Sequence, residues 1–95
     1  MKRQLDIKEI EKISKALGDP YRLKIIEAIN KQNEWTQCSA LLDMLDLAQS
    51  TVSHHIKQLV DADLLISEKD GRNCKYEVNK DVFSAYIKFL SPFKE

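Results

Sequence analysis

Apolar residues recur along the chain first at helical spacing, then at strand spacing near the end, then at helical spacing again. Ile10, Ile13 and Leu17, with Leu5 and Ile7 ahead of them, mark one helix face. Gly18-Asp19-Pro20 then supplies a terminating glycine and a proline, so a first helix is expected over about 5–17. Pro20 also suits the first turn of a second helix, about 20–31, with Leu23, Ile26 and Ile29 on its apolar face and Ile25 beside them. Trp35-Thr36-Gln37-Cys38 reads as a short extended link. Ser39 is a suitable N-cap for a short third helix, about 39–45, carrying Leu41, Leu42, Met44 and Leu45.

After the tight connection Asp46-Leu47-Ala48, Val52, Ile56, Leu59 and Val60 form the single apolar stripe of a fourth helix, about 49–62, whose remaining surface is polar. Leu64-Leu65-Ile66-Ser67-Glu68 and Cys74-Lys75-Tyr76-Glu77-Val78 have strand character, with Asp70-Gly71 as the turn signal of a hairpin over about 64–78. Val82, Phe83, Tyr86, Ile87, Leu90 and Phe93 give a last helix, about 81–91. Its apolar face is broad for the end of so small a chain and predicts packing outside its own monomer. The expected fold is mainly α with a small β-hairpin, in the order α-α-α-α-β-β-α, as one domain over 1–95.

Composition narrows this picture. At 95 residues, 43% hydrophobic and 32% charged, with two Gly and two Pro, the chain is sized for one domain and is neither disordered nor fibrous. Its apolar runs fall far short of the roughly 20 residues that cross a bilayer, so no membrane partner is expected. Lys2-Arg3 reads as a solvated basic opening. Asp6, Glu9 and Glu11 then interrupt what would be the apolar stretch of a secretion signal. A cytoplasmic location follows as an expectation, and with it Cys38 and Cys74 as reduced thiols.

Two short helices joined by a few residues, the second rich in small polar side chains and followed by a hairpin, form the layout of a winged helix-turn-helix. A helix lying in the major groove must offer hydrogen-bonding groups to bases and phosphates while its other face holds it on the domain. Gln49, Ser50, Thr51, Ser53, His54, Lys57 and Gln58 suit that task. At the hairpin tip, Lys69 and Arg72 can reach phosphates or the neighbouring minor groove.

The segments Ala16-Leu17-Gly18-Asp19-Pro20-Tyr21-Arg22-Leu23-Lys24-Ile25-Ile26, Gln49-Ser50-Thr51-Val52-Ser53-His54-His55-Ile56-Lys57-Gln58-Leu59 and Asp63-Leu64-Leu65-Ile66 resemble the ArsR/SmtB family of bacterial winged-helix repressors. The second segment is the most specific. The resemblance implies a homodimer built on the first and last helices, through Leu5, Ile10, Phe83, Tyr86, Ile87 and Leu90, bound to double-stranded DNA at an inverted-repeat operator. It implies DNA contacts from Gln49, Ser50, Ser53 and His54, with Thr51, His55 and the wing residue Arg72. Ala48 departs from the pattern, standing where the family commonly has a Ser cap.

Many members of that family sense metals, through thiolates at the start of the third helix or through carboxylates and histidines on the last. Matched to the first pattern, the ligand positions here are Gln37, Ser39 and Leu42, with Cys38 out of phase. The last helix carries no His, and His54 and His55 point about 100° apart around their helix. No metal and no cofactor is therefore expected, and the short His-free end is similar to that of PagR-like members. Cys38 and Cys74 are expected at apolar-facing strand positions as packing groups; the alternative is a thiol redox switch. Phe83, Tyr86, Phe89 and Phe93 read as dimer core and Trp35 as a packing residue.

An enzyme has little support, with no Gly-rich phosphate loop and no nucleophile paired with a base. The alternative to a repressor is a protein-interaction module, suggested by charge: 15 basic residues balance 15 acidic ones. No segment is strongly basic, and residues 49–66 hold only Lys57 against Asp61 and Asp63. Such a recognition helix works through neutral hydrogen-bonding groups. That predicts modest non-specific affinity, a shallow salt slope and dependence on two half-sites paired by the dimer.

Overall fold

The computed structural model describes residues 4–95, apart from the side chain of Asp70; Lys2 and Arg3, read above as a basic opening, lie outside the described residues. Asp6 and Glu9 form a capping box: Asp6 Oδ1 accepts from the Glu9 amide at 2.8 Å, and Glu9 Oε1 accepts from the Asp6 amide at 3.2 Å. Helix α1 is thereby fixed over Ile7–Ala16, leaving Leu5 just ahead of it. Asp19 caps α2, Pro20–Gln32, and Asn33 ends it in the left-handed region at φ 53°. There follow β1 (Thr36–Gln37), α3 (Cys38–Met44), α4 (Gln49–Asp61), β2 (Leu65–Asp70), β3 (Asn73–Val78), α5 (Lys80–Leu90) and a 3-10 turn, Ser91–Lys94.

The pattern of apolar positions predicted two strands, and the sheet has three, antiparallel in the order β1-β3-β2. Thr36 pairs with Tyr76 and Gln37 with Lys75. This short edge pairing corrects the expected start of α3. The helix begins at Cys38, and Gln37 at its cap makes no side-chain bond; pairing to β3, in place of Ser39, delivers the chain to the helix. Cys38 accordingly sits in a helix and not at a strand position. The hairpin turn is Gly71-Arg72, one residue later than expected, because Asp70 still pairs with Asn73. Gly71 supplies the positive φ, 64°, that the first position of such a two-residue turn requires.

Asp63 turns the chain out of α4. At φ 62° it donates its amide to the Val60 carbonyl, while the Leu64 amide reaches back to the Leu59 carbonyl. Those two bonds are the Schellman pattern, here with Asp where Gly is usual. The core gathers Ile13, Ile25, Ile29, Leu41, Val52, Ile56, Leu59, Leu64, Leu65 and Val82, so every helix from α1 to α5 places at least one side chain in it. Among the described residues no helix is long and apolar enough to cross a membrane.

Candidate nucleic-acid interface

Helices α3 and α4 are joined by residues 45–48, where the Leu45 amide closes onto the Leu41 carbonyl and the Leu47 amide onto that of Leu45. Burial then dictates how α4 sits. Val52, His55, Ile56 and Leu59 face inward, on one stripe at helical spacing. The opposite face is left in solvent, and Gln49, Ser50, Thr51, Ser53, His54, Lys57 and Gln58 are all exposed on it. Ala48 offers no capping side chain, and the first amide bonded back within this turn is that of Val52, to the Ala48 carbonyl. The amides of Gln49, Ser50 and Thr51 precede it, at the positive end of the helix dipole.

His55 is corrected out of this face. Its ring is 9% exposed, stacked on Tyr21 with centroids 5.9 Å apart, and Nδ1 lies 3.4 Å from Nη1 of Arg22. The sequence reading missed Arg22 altogether. A usable signal existed: the last carbonyls of α1 need donors, and Arg22 follows the α1–α2 turn closely enough to supply them. Asp19, which starts the same turn, has its carboxyl affected in two directions. Burial pushes its pKa up, and the Arg22 and Tyr21 amides, with the His55 and Arg22 charges, pull it down to a net lowering. On the wing, Arg72 is exposed in the turn itself and Lys69 is exposed on β2 opposite Cys74.

The expected dimer residues divide. Ile87 and Leu90 are 60% and 41% exposed, whereas Phe83 and Tyr86 are half-buried against the core. Leu5 is also half-buried and packs on that core. Ile10 is corrected, since only 7% of it remains exposed and it has little surface left to give a partner. Phe93, expected in the dimer core, and Ile7, not expected there, are both 72% exposed. Phe93 meets Phe89 edge to face at 5.5 Å.

Cys38 and Cys74 are free thiols, both half-buried. Burial raises the Cys38 pKa, and neighbouring Cys74 raises it further. Tyr76, opposite Thr36, is pushed up to about 12 by burial, by Cys74 and Cys38, and by a hydrogen bond with Cys74. Trp35 lies under the Lys75 ammonium, 5.2 Å from the ring centroid. Among the described residues no three His, Cys, Asp or Glu side chains gather where they could hold a metal ion.

Comparison with known proteins places this geometry. A family described as "Helix-turn-helix domain" matches residues 17–68. The chain is 37% identical over 83 residues to the arsenical resistance operon repressor of Staphylococcus xylosus, covering 87% of this chain and 77% of that protein. A crystal structure of an ArsR family transcriptional regulator superposes with a TM-score of 0.83 at 23% identity, over 97% of this chain and 93% of the other. The homodimeric winged helix-turn-helix DNA-binding domain of a possible ArsR-family regulator from Mycobacterium bovis does so with 0.73 at 20% identity, over 100% and 92%.

Proposed function

The chain belongs to the ArsR/SmtB family of winged helix-turn-helix transcriptional regulators, which are DNA-binding proteins and not enzymes, and from that premise we propose that it is a cytoplasmic repressor that binds an inverted-repeat operator as a homodimer. The observation that carries this reading is α4. One of its faces is fixed in the core by Val52, Ile56 and Leu59, while the other presents Gln49, Ser50, Thr51, Ser53, His54 and Lys57 to solvent. Those side chains suit base edges, and the uncapped amides ahead of Val52 suit a phosphate. Arg72 adds a phosphate contact from the wing. Exposed Ile7, Ile87 and Leu90 support a second copy against α1 and α5.

Titration of the DNA upstream of its own gene, at two salt concentrations, tests the proposal. A repressor gives specific binding that weakens with salt, with a shallow slope because Lys57, Lys69 and Arg72 are the main cations offered. Absence of specific binding at low salt favours the interaction module.

A thiol-responsive version of the same repressor has one observation in its favour. The register of β1 on β3, continued by one residue, carries Cys38 towards Cys74. The raised Cys38 pKa weighs against it, because the thiolate is the form that oxidants and soft metals attack. We therefore assign both thiols to packing and propose that operator release needs no metal bound by this chain.

A further inference from the structure

Arg22 serves two helices besides its own. Asp19 Oδ1 accepts the Tyr21 and Arg22 amides at 2.8 and 3.2 Å, which fixes the first turn of α2 and aims the guanidinium. Nε then donates to the Ala16 carbonyl at 2.6 Å and Nη2 to that of Lys15 at 3.3 Å, serving carbonyls at the end of α1. The third arm, Nη1, meets Nδ1 of His55 at 3.4 Å. A guanidinium carries donors only, so Nδ1 must accept.

We propose that Arg22 and His55 are positioning residues for DNA binding: one guanidinium ties the buried root of α4 to the end of α1, setting the pitch of the recognition helix from the proposed dimer layer. This rests on the DNA-binding reading above. The joint needs an acceptor at the place of Nδ1. A side chain with no acceptor there loses the Nη1 bond, and the root of α4 is released. The charged and titratable groups facing the ring are Arg22, Asp19 and Tyr21 from α2 and His54 beside it on α4, with Lys24 beyond the Tyr21 ring. Of these, Arg22 is the group in hydrogen-bond contact with the ring.

Operator affinity is measured by fluorescence anisotropy with the upstream DNA at about pH 8 and fixed ionic strength. The wild type is compared with His55→Asn, whose Oδ1 accepts in the place of Nδ1 and does not titrate, and with His55→Phe, which keeps the ring but has no acceptor. Melting temperature and mass are recorded for each. His55→Asn binds within about twofold of the wild type, and a folded His55→Phe is weaker by roughly tenfold. Should His55→Phe not fold, the comparison with His55→Asn decides alone. A folded His55→Asn that binds roughly tenfold more weakly than wild type, or a folded His55→Phe that binds like wild type, overturns the joint. No specific binding by the wild type at about pH 8 overturns the DNA-binding reading itself, and the joint's role with it.

Discussion

The hydroxyl groups of Ser14 and Tyr86 share a hydrogen bond of 2.8 Å across 72 residues of sequence. The bond joins α1 to α5, the first helix to the last, so the two behave as one layer of the protomer. That layer carries Ile7, Ile87 and Leu90, each more than two-fifths exposed. Burying such a side chain fully contributes about 1.5–3 kcal/mol, and a two-fold contact buries each of them twice.

Ile87→Asp is accordingly expected to yield a folded monomer, read as a halved mass by sedimentation. Its operator affinity should fall by more than tenfold, since two half-sites are no longer bound as a unit. Tyr86→Phe removes one hydrogen bond and should cost about 1 kcal/mol of stability without abolishing the dimer. An Ile87→Asp protein that remains dimeric at micromolar concentration places the contact elsewhere.

Ala48→Ser tests the start of the recognition helix. Ala48 already has the extended backbone of an N-cap, at φ −64° and ψ 147°, but no side chain able to bond the first-turn amides. A Ser there should stabilise the protein by about 1 kcal/mol. Denaturant unfolding reads the gain, and slower hydrogen exchange at the first amides of α4 locates it. Equal stability with unchanged exchange means those amides are already served another way.

Most of the fold was legible because the helices advertise themselves twice, by apolar spacing and by their ends. The Asp19-Pro20 start of α2 and the stripe through Val52, Ile56 and Leu59 are local facts, and local facts are written in the sequence. What escaped depends on pairing between distant segments. Thr36 and Gln37 are too short a run to read as a strand, and they become one only because β3 lies beside them. His55 shows the same limit within the site. On a helical wheel it borders the polar face, and only the approach of Tyr21 and Arg22 from α2 turns it into a core residue. Burial of Ile10 likewise depends on what α1 rests against.

The thiol corner gives a prediction in pH. With its folded pKa pushed up to about 12, the Tyr76 phenol is favoured in the protonated form by the fold. Its contribution to stability is complete below the unfolded phenol's value of about 10 and is lost as pH rises from there through about 12. Alkaline titration followed by tyrosinate absorbance should show one of the three tyrosines ionising late. Cys38, raised first by burial and then by Cys74, should react with iodoacetamide more slowly than free cysteine at about pH 8. Neither a hydroperoxide nor arsenite should then change operator affinity. A loss of binding on oxidation that Cys38→Ser abolishes reverses the packing assignment.

The sharpest test of the recognition face sets two kinds of contact against each other. Ser53 and His54 stand exposed on α4, where their polar groups can read base edges, while Arg72 stands in the hairpin turn, where a guanidinium meets backbone phosphate. Replacing both Ser53 and His54 by Ala should abolish discrimination between operator and random DNA, with mass and melting temperature unchanged. Arg72→Ala should weaken operator and random DNA alike, by about 1 kcal/mol, and lower the salt slope by about one ion per protomer. The two outcomes differ in kind, because a lost base contact costs only the correct sequence and a lost phosphate contact costs every sequence. A double variant that turns monomeric makes Ser53 and His54 structural. An Arg72→Ala variant with altered sequence preference moves the wing from the backbone into a groove.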